Sequence, residues 1–514
     1  MAIQDVDLGE FSAEKDTNLG DYFLEDTSAY KSAEEIEDYR YILVGRTGSG
    51  KSAILSHLEQ KFKDDNKYLC AFIKPSDKNF LDLIVQTDDF LQIKSIKGLQ
   101  NVIFKVIWQY AIIATILREK YRGKNELTRW KLIKGTDLKA YRFLKKTNQL
   151  ADEEKTFTDI LSELIKEVSI KIGGVGTISV KNSDTKPSLE TVKEIIKETQ
   201  NFHKGDFWNI VRGSKVYILF DDLDIGWNPE DENQQMLLRG LFSVMKDYAY
   251  RKRVKPLVAL RTNILDELDL KQAEKYESNI LRIRWSKEKL EKMLLLRLKK
   301  YTKNKKIRDL KDFFEINDSE NPVNYMIERT LYRPRDLLAF CKYAISEAHI
   351  KKADKVSINH VLAAQLDYSK SRNKALADEW RNNYSGLETL ITEMVRTADK
   401  LNLGNLIIPK ELNTLLVTIR EKIHIRSENK KYSDVMWIWS FFPGDDPLEL
   451  VKILYKIGIL GFQPEVKGDA KFVYKTEDIL DIYDVTEDSR FVFHPMIRSR
   501  EHLAKKTVKK SPWI

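Results

Sequence analysis

Residues 45–52 read Gly-Arg-Thr-Gly-Ser-Gly-Lys-Ser, and this stretch decides the fold. The apolar run 41–44 precedes it, and residues 53–58 follow it with the apolar spacing of a helix. A strand, a glycine-rich loop and a helix in this order are the setting in which the pattern G-x-x-x-x-G-K-S/T binds phosphate. The alternative is an ordinary glycine-rich turn between a strand and a helix. The sequence therefore predicts a nucleotide site at this loop.

Each residue type in the loop has a chemical role at a triphosphate. Glycines lack a Cβ atom, so the backbone curls tightly and directs successive N–H groups at phosphate oxygens, with the start of a helix behind them. Lys51 would place a charge at the β- and γ-phosphates, and the Ser52 hydroxyl would ligate Mg²⁺. The predicted cofactors are ATP and Mg²⁺. The predicted binding residues of the loop are Gly45, Arg46, Thr47, Gly48, Ser49, Gly50, Lys51, Ser52 and Ala53.

A second motif begins with the continuous apolar run 216–220, which is typical of a strand buried on both faces of a parallel sheet. It ends in Asp221, Asp222 and Asp224, with no basic residue beside them. Carboxylates this close together repel one another unless a cation is bound or one of them stays protonated. We expect Asp221 to hold Mg²⁺ through water and Asp222 to polarise the attacking water. Asp224 either joins them or caps a helix.

Basic and amide side chains lie at two later positions in the chain, after an apolar run and beside a proline. The apolar run 256–260 ends near Arg261 and Asn263, where a polar group would sense the γ-phosphate. Arg261 would do so from within the chain, or would pair with one of the aspartates. Further on, Arg333 and Arg335 flank a proline that can start a helix. From such a lid helix a guanidinium would turn onto phosphate; the alternative is a solvated side chain.

Together these motifs resemble the additional-strand P-loop ATPases, which include AAA+ proteins, STAND signalling ATPases and KAP ATPases. Residues 11–24, 221–227 and 333–340 resemble stretches of bacterial P-loop ATPases from mobile-element and defence gene clusters. The resemblance implies an ATPase that acts as a conformational switch in bacterial antiphage defence or signalling. It also implies that Tyr22 and Phe23 lie near the adenine.

The chain departs from that class in informative ways. Ring-forming AAA+ proteins carry an arginine finger before the last strand, yet residues 264–279 contain no arginine. The resemblance then favours a STAND-like arrangement in which Arg261 acts in cis. Asp222 is shorter than the glutamate common at its position, so hydrolysis is expected to be slow or to depend on closure of the site. His494 resembles the nucleotide-sensing histidine of STAND proteins, with a buried, capped histidine as the alternative.

Composition describes a soluble, charge-rich protein. Of 514 residues, 42% are hydrophobic and 32% charged, and the net charge of +9 permits an anionic partner. The basic runs 299–308 and 505–510 are either solvated faces or nucleic-acid contacts. Two widely separated cysteines and the lack of a signal peptide predict free thiols and a cytoplasmic protein.

The most apolar segment, residues 99–117, raises the question of a membrane. It contains Lys105 near its middle, which a membrane span would tolerate at a cost of about 2.5–3.5 kcal/mol. We therefore expect a buried helix and no membrane partner.

The predicted fold class is α/β: a P-loop NTPase parallel sheet flanked by helices, followed by a helical lid and a winged-helix-like domain. Residues 280–285 are expected to form the last strand of the sheet, and residues 169–180 a hairpin. In the C-terminal part we expect a helix at 447–455 and strands near 471–475 and 490–494. The predicted domains are an adenine-side strap (1–38), the NTPase core with an insertion at about 120–200 (39–285), the lid (286–375) and the winged-helix-like domain (376–514).

Three functions follow from these motifs. The first is a slow ATP-hydrolysing switch with a protein partner or effector and a possible homo-oligomeric state. The second is a nucleic-acid-stimulated ATPase, a loader or remodeller; Asp445 and Asp446 at the predicted helix start oppose DNA docking there. The third is a non-hydrolysing nucleotide-dependent scaffold, suggested by Asp222.

Overall fold

A computed structural model describes residues 6–75, 80–95, 98, 100–121, 135–146, 156–173, 197, 200–223, 227–228, 231–267, 276–302, 307–443, 446–465, 468–476 and 485–497. The chain divides into two compact units. We call residues 12–284 the sheet unit, and residues 6–11 with 285–497 the helical unit. The four predicted domains stay a prediction.

The sheet unit is built on five parallel strands. They are β1 (Ile42–Val44), β2 (Tyr68–Ile73), β3 (Lys215–Phe220), β4 (Val254–Leu260) and β5 (Ile280–Arg282). Their order across the sheet is β2-β3-β4-β1-β5. The strand β4 therefore lies between β1, which leads into the glycine-rich loop, and β3, which ends at the aspartates. A parallel sheet with this inserted strand and with helices on its faces is the predicted α/β P-loop-ATPase-like fold.

Helices cover both faces of the sheet, because successive side chains along a strand point to opposite faces. Ile218 and Phe220 of β3 belong to one hydrophobic cluster, and Tyr217 and Leu219 belong to another. The α-helices of this unit are Leu19–Tyr22, Ser28–Glu34, Lys51–Phe62, Phe80–Val85, Asp88–Lys94, Gln100–Tyr121, Thr136–Lys146, Phe157–Gly173, Trp208–Val211, Glu232–Ala249 and Thr262–Glu267, with a 3-10 helix at Ala13–Lys15 and a π-helix at Phe202–Phe207.

The helix Gln100–Tyr121 is long and apolar enough to cross a membrane, but 67% of its apolar window is buried inside the unit. Trp108 is fully buried and donates a hydrogen bond to the Leu237 carbonyl at 2.8 Å. Lys105 pairs with Asp247 at 2.6 Å, so its charge has a partner. These contacts are those of the core helix that the sequence predicts.

One prediction for the insertion is wrong. Residues 169–173, expected as the first strand of a hairpin, continue the helix Phe157–Gly173. The reason is the helical spacing of the apolar side chains upstream, including the buried Leu161, Leu164 and Ile165. The remainder of that hairpin, residues 174–180, lies outside the described residues.

The helical unit contains α-helices at Lys287–Tyr301, Pro322–Ile327, Pro334–Ile350, Ile358–Glu379, Leu387–Lys400, Pro409–Ile425, Lys430–Ser433, Leu448–Ile457 and Val473–Thr476, with 3-10 helices at Leu310–Asp312 and Met436–Phe441. Three of these helices begin at a proline, whose fixed φ suits the first helical position. An antiparallel sheet of β6 (Leu406–Ile407), β7 (Leu460–Gln463) and β8 (Arg490–Phe493) has the order β6-β8-β7.

The strand expected at 471–475 is wrong. Lys471 makes a single bridge to Phe462, and the helix Val473–Thr476 follows. β8 pairs with β7 instead. Gly461 of β7 leaves room for the Phe472 ring, which would lie 2.6 Å from a Cβ there. The winged-helix assignment stays a prediction.

Candidate functional site

The glycine-rich loop, residues 45–52, connects β1 to the helix Lys51–Phe62 and is called the P-loop below. Gly48 and Gly50 have φ values of 79° and 103°, in the left-handed region that favours glycine. Gly45 is needed for space, because a Cβ on it would lie 2.3 Å from the Ser49 hydroxyl. Its N–H donates to the Leu260 carbonyl at 3.2 Å and so ties the loop to β4. Gly48 and Gly50 thus supply the backbone conformation of the curled loop, and Gly45 supplies the space for the Ser49 side chain.

Lys51 lies at the first position of the helix, and its amine folds back over the loop. It donates to the carbonyl oxygens of Gly45 at 2.8 Å and Arg46 at 3.2 Å. Ser52 and Ala53 follow in the first helical turn, where the positive end of the helix dipole lies. The cation, the hydroxyl and the helix N-terminus are therefore grouped as a triphosphate requires.

Asp221 lies at the same edge of the sheet as the P-loop. It follows β3 directly, is only 2% exposed, and its N–H donates to the Ile73 carbonyl at 3.1 Å. Register pairs Val44 with Leu260, so β1 and β4 end together, and Phe220 with Val258, so β3 ends two residues earlier at the same edge. Two strand spacings, about 10 Å, separate the P-loop strand from the Asp221 strand.

The donor set at this edge suits Mg²⁺, since the Ser52 hydroxyl and the buried Asp221 carboxylate are hard oxygen ligands. In the described part of the chain, no group of three or more His, Cys, Asp and Glu side chains forms a metal site. The oxygens of a bound nucleotide would complete the coordination, as is usual for Mg²⁺. The metal-binding roles of both residues stay predictions.

Asp222 has a partner that sequence reasoning missed. Its carboxylate lies 2.7 Å from the Lys74 amine, and the two side chains are 24% and 33% exposed. The Asp222 backbone has φ 57°, in the left-handed region. The expectation that no basic residue neutralises the aspartates is therefore wrong. A usable signal was the neighbouring strand, because Lys74 follows β2 just as Asp221 follows β3.

Arg261 and Asn263 lie at the start of the helix Thr262–Glu267, which follows β4. Leu265 donates its N–H to the Arg261 carbonyl at 3.2 Å, so Arg261 precedes the first turn. Asn263 is 7% exposed. Since β4 is the immediate neighbour of β1, both residues lie at the edge that carries the P-loop. Their sensing roles stay predictions, and Asp224 lies outside the described residues.

The N-terminal strap packs on the P-loop helix. The Phe23 ring stacks on His57, with centroids 4.1 Å apart, and the Tyr22 hydroxyl donates to the Asp16 carboxylate. His57 Nε2 lies 2.9 Å from Glu25, and hydrogen bonds from His57 and Lys61 lower the pKa of the Glu25 carboxyl. These partners were not found from the sequence. That Tyr22 and Phe23 contact adenine stays a prediction.

Three residues of the helical unit were also candidates. Arg335 is exposed in the first turn of the helix Pro334–Ile350 and stays a predicted phosphate ligand. Arg333 is buried instead, 2.7 Å from the Glu379 carboxylate and 3.1 Å from Asp336. It holds the helical unit together, so the prediction that it contacts phosphate is wrong.

His494 is fully buried. Its Nδ1 accepts from the Met496 N–H at 3.0 Å, so Nε2 carries the proton and donates to the Tyr474 hydroxyl at 2.7 Å. The structure supports the buried, capped alternative for this histidine.

The fold and the grouped residues define an α/β protein of the P-loop-ATPase-like class. Among known proteins, residues 288–377 match the family described as FunZ-associated C-terminal helical domain. A curated Escherichia coli K12 protein, the "Putative transposon gamma-delta 80.3 kDa protein", is 22% identical over an alignment of 414 residues that covers 76% of this chain and 54% of the relative. The chain thus spans about half the length of that relative.

The crystal structure of Cdc6p from Pyrobaculum aerophilum is similar over 91% of this chain and 86% of that chain, at 12% identity and a TM-score of 0.30. A TM-score this low adds nothing to the fold argued from the sheet. The comparisons fit a mobile-element context and give no support to the expected antiphage role.

Proposed function

We propose that this chain is an ATPase that binds ATP·Mg²⁺ at the P-loop edge of the sheet and works as a conformational switch. The proposal rests on one observation. The P-loop with Lys51 and the buried Asp221 lie at the same edge of the sheet, with β4 between their strands. The FunZ-associated match and the transposon relative suggest a role in a mobile element. A protein partner or a second copy of the chain is expected to respond to the ATP-dependent change in conformation.

Each residue at this edge has a part in the proposed reaction. The loop N–H groups and Lys51 hold the β- and γ-phosphates, while Ser52 and Asp221 hold the ion. Bound Mg²⁺ would neutralise charge that develops on the transferred phosphoryl group. Asp222 orients the water, and Arg261, acting in cis, stabilises the charge on the γ-phosphate. The AAA+/STAND grouping and the roles of Asn263 and Arg335 belong to the same proposal.

The ion pair between Lys74 and Asp222 gives a structural reason for slow turnover. The Lys74 ammonium, 2.7 Å from the Asp222 carboxylate, competes with the attacking water for hydrogen bonds to the same oxygens. An ion pair of this partial exposure contributes about 1 kcal/mol. Asp222 must leave Lys74, or share it, before it can orient the water that attacks the γ-phosphate.

The test compares Lys51→Ala with Lys63→Ala, an exposed lysine just beyond the end of the same helix. We expect Lys51→Ala to lose ATP binding and phosphate release, and Lys63→Ala to keep both. Asp222→Asn should bind ATP and fail to hydrolyse it. Equal ATP affinity and turnover for Lys51→Ala and the wild type would end the proposal.

A non-hydrolysing scaffold is the second candidate, and the same ion pair favours it. The protein would bind ATP and keep it intact while Lys74 holds Asp222. The two candidates separate in a single-turnover experiment with labelled ATP and excess protein. Conversion to ADP that requires Asp222 supports the switch, whereas ATP that is recovered unchanged after long incubation supports the scaffold.

A further inference from the structure

The loops that precede β2, β3 and β4 are unusually basic. We call residues 63–67, 212–215 and 250–253 the amino-edge loops. They carry seven basic and two acidic side chains, a net charge of +5 against +9 for the whole chain. The basic residues are Lys63, Lys67, Arg212, Lys215, Arg251, Lys252 and Arg253, and the acidic ones are Asp64 and Asp65.

The three loops form one surface, because their strands are adjacent and parallel. Lys215 donates its N–H to the Lys67 carbonyl at 2.8 Å, which joins the first loop to the second. The Arg253 guanidinium donates to the Arg212 carbonyl at 3.4 Å, which joins the second to the third. The charges therefore accumulate along the edge of the sheet opposite the P-loop.

These cations are available to a ligand. None of the ion pairs among the residues that the structure describes involves any of the seven. Lys215 and Arg251 lie over the rings of Tyr68 and Trp208, at 5.3 Å and 4.2 Å from the centroids. Arg253 has φ 66°, a backbone conformation that glycine or asparagine would adopt with less strain. The arginine at that turn therefore places a charged side chain where the backbone alone favours a different residue.

Two exposed tyrosines end the basic surface. Tyr250 is 63% exposed and Tyr39 is 46% exposed, and their rings stack with centroids 6.2 Å apart and planes at 10°. Each ring of a stacked pair keeps its outer face for another planar group. Cations beside exposed aromatic faces are the combination with which proteins hold single-stranded nucleic acid.

The charge along this edge of the sheet changes from positive to negative beyond the two tyrosines. Tyr39 lines an open cavity of about 560 Å³ whose charged lining is four carboxylates and one cation, Glu35, Glu37, Asp38, Glu277 and Arg40. A polyanion is repelled there, so a bound strand would run along the starts of β2, β3 and β4 and stop at the tyrosine pair.

We propose that the amino-edge loops bind single-stranded nucleic acid, with its phosphates on the basic side chains and a base on Tyr250. This site is distinct from the basic runs at 299–308 and 505–510, and it lies at the edge opposite the proposed ATP site. The proposal goes beyond the ATPase function and does not depend on it.

The test measures binding of a fluorescent oligo-dT to the full chain over a series of salt concentrations, without ATP. The variant Arg212→Gln/Lys252→Gln/Arg253→Asn removes three charges and keeps a residue suited to positive φ. We expect weaker binding, and a log–log salt slope shallower by about 2, because each phosphate contact contributes about 0.7 to the slope. The matched control is Lys410→Gln/Lys430→Gln/Lys431→Gln, which removes three exposed charges from the helical unit and should bind as the wild type does.

A second pair of variants tests the stacking. Tyr250→Ala should weaken binding about fivefold or more, whereas Tyr250→Phe keeps the ring and should bind normally. Unchanged melting temperatures would show that the variants fold. If the three-charge variant binds oligo-dT as tightly as its control does, the amino-edge loops are not the binding site. Equal losses of affinity in the variant and the control would lead to the same conclusion. Equal or tighter binding of duplex DNA, or equal behaviour of Tyr250→Ala and Tyr250→Phe, would overturn the single-strand assignment.

Discussion

Lys255 makes the stability of the sheet unit depend on alkaline pH. It lies in β4, its side chain is fully buried, and its amine donates to the carbonyls of Asp38 at 2.6 Å and Arg40 at 3.0 Å. The Asp38 carboxylate is 3.7 Å away. Burial, partly opposed by Asp38, lowers the pKa of Lys255 from 10.5 to about 8. The carbonyls that it holds immediately precede β1, the strand that leads into the P-loop.

The sign of the effect follows from proton binding. Below about pH 8 both the folded and the unfolded chain carry the Lys255 charge, and the folded protein bears the cost of burying it. Between about 8 and 10.5 the unfolded chain keeps a proton that the folded protein has released, so the free energy of unfolding rises with pH. At about 1.4 kcal/mol for each pKa unit, the gain is about 3 kcal/mol.

The variant Lys255→Met removes this titration. We expect the difference in unfolding free energy, wild type minus variant, to grow by about 3 kcal/mol from about pH 7.5 to 10.5. Urea unfolding followed by tryptophan fluorescence at several pH values measures it, and titrations common to both proteins cancel. The control is Lys166→Met, an exposed lysine of the same unit, whose curve should run parallel to that of the wild type. Parallel curves for Lys255→Met as well would refute the reasoning.

Three further outcomes follow from contacts at and near the site. Lys74→Ala frees Asp222 from an ion pair worth about 1 kcal/mol and should raise ATP turnover about fivefold in a phosphate-release assay. An unchanged rate would show that the Lys74–Asp222 ion pair does not limit hydrolysis. Gly45→Ala forces a Cβ against a P-loop side chain and should weaken ATP binding about tenfold by titration, while Gly213→Ala, with nothing within 4 Å, should not. Arg333→Met leaves the buried Glu379 carboxylate without its cation, whereas Asp336 keeps Arg372 at 3.5 Å. Thermal melting should show the helical unit destabilised by about 3–5 kcal/mol, and a melting curve like that of the wild type would contradict this.

The features that sequence predicts well are those encoded by consecutive residues. The P-loop needs glycines at fixed positions, and β3 and β4 are unbroken apolar runs, so each is visible locally. The Lys74–Asp222 pair was missed because the two residues are far apart in the chain and meet only where β2 and β3 are neighbours in the sheet. Its one local signal was that Lys74 directly follows an apolar strand. Strand order is a property of the whole sheet, which no short window of sequence contains.

The two wrong strand predictions, one in the insertion and one in the C-terminal part, have a different physical cause. Residues 169–173 and 471–475 each mix apolar and polar side chains in a way that suits a strand or a helix. Tertiary contacts decided between them: an upstream helical core in the first case, and the Phe472 ring over Gly461 in the second. Short segments with weak periodicity take the structure that their neighbours impose.

The ion pair of Asp222 connects the shape of the site to its proposed slow chemistry. A glutamate at this position would extend its carboxylate one methylene further from the backbone. Asp222 instead lies at φ 57°, on a turn that brings its short side chain to Lys74 on the adjacent strand end. Because the amine competes with water for the same carboxylate oxygens, any movement that separates the ends of β2 and β3 would activate the base. A partner acting at this edge would therefore control hydrolysis without touching the nucleotide.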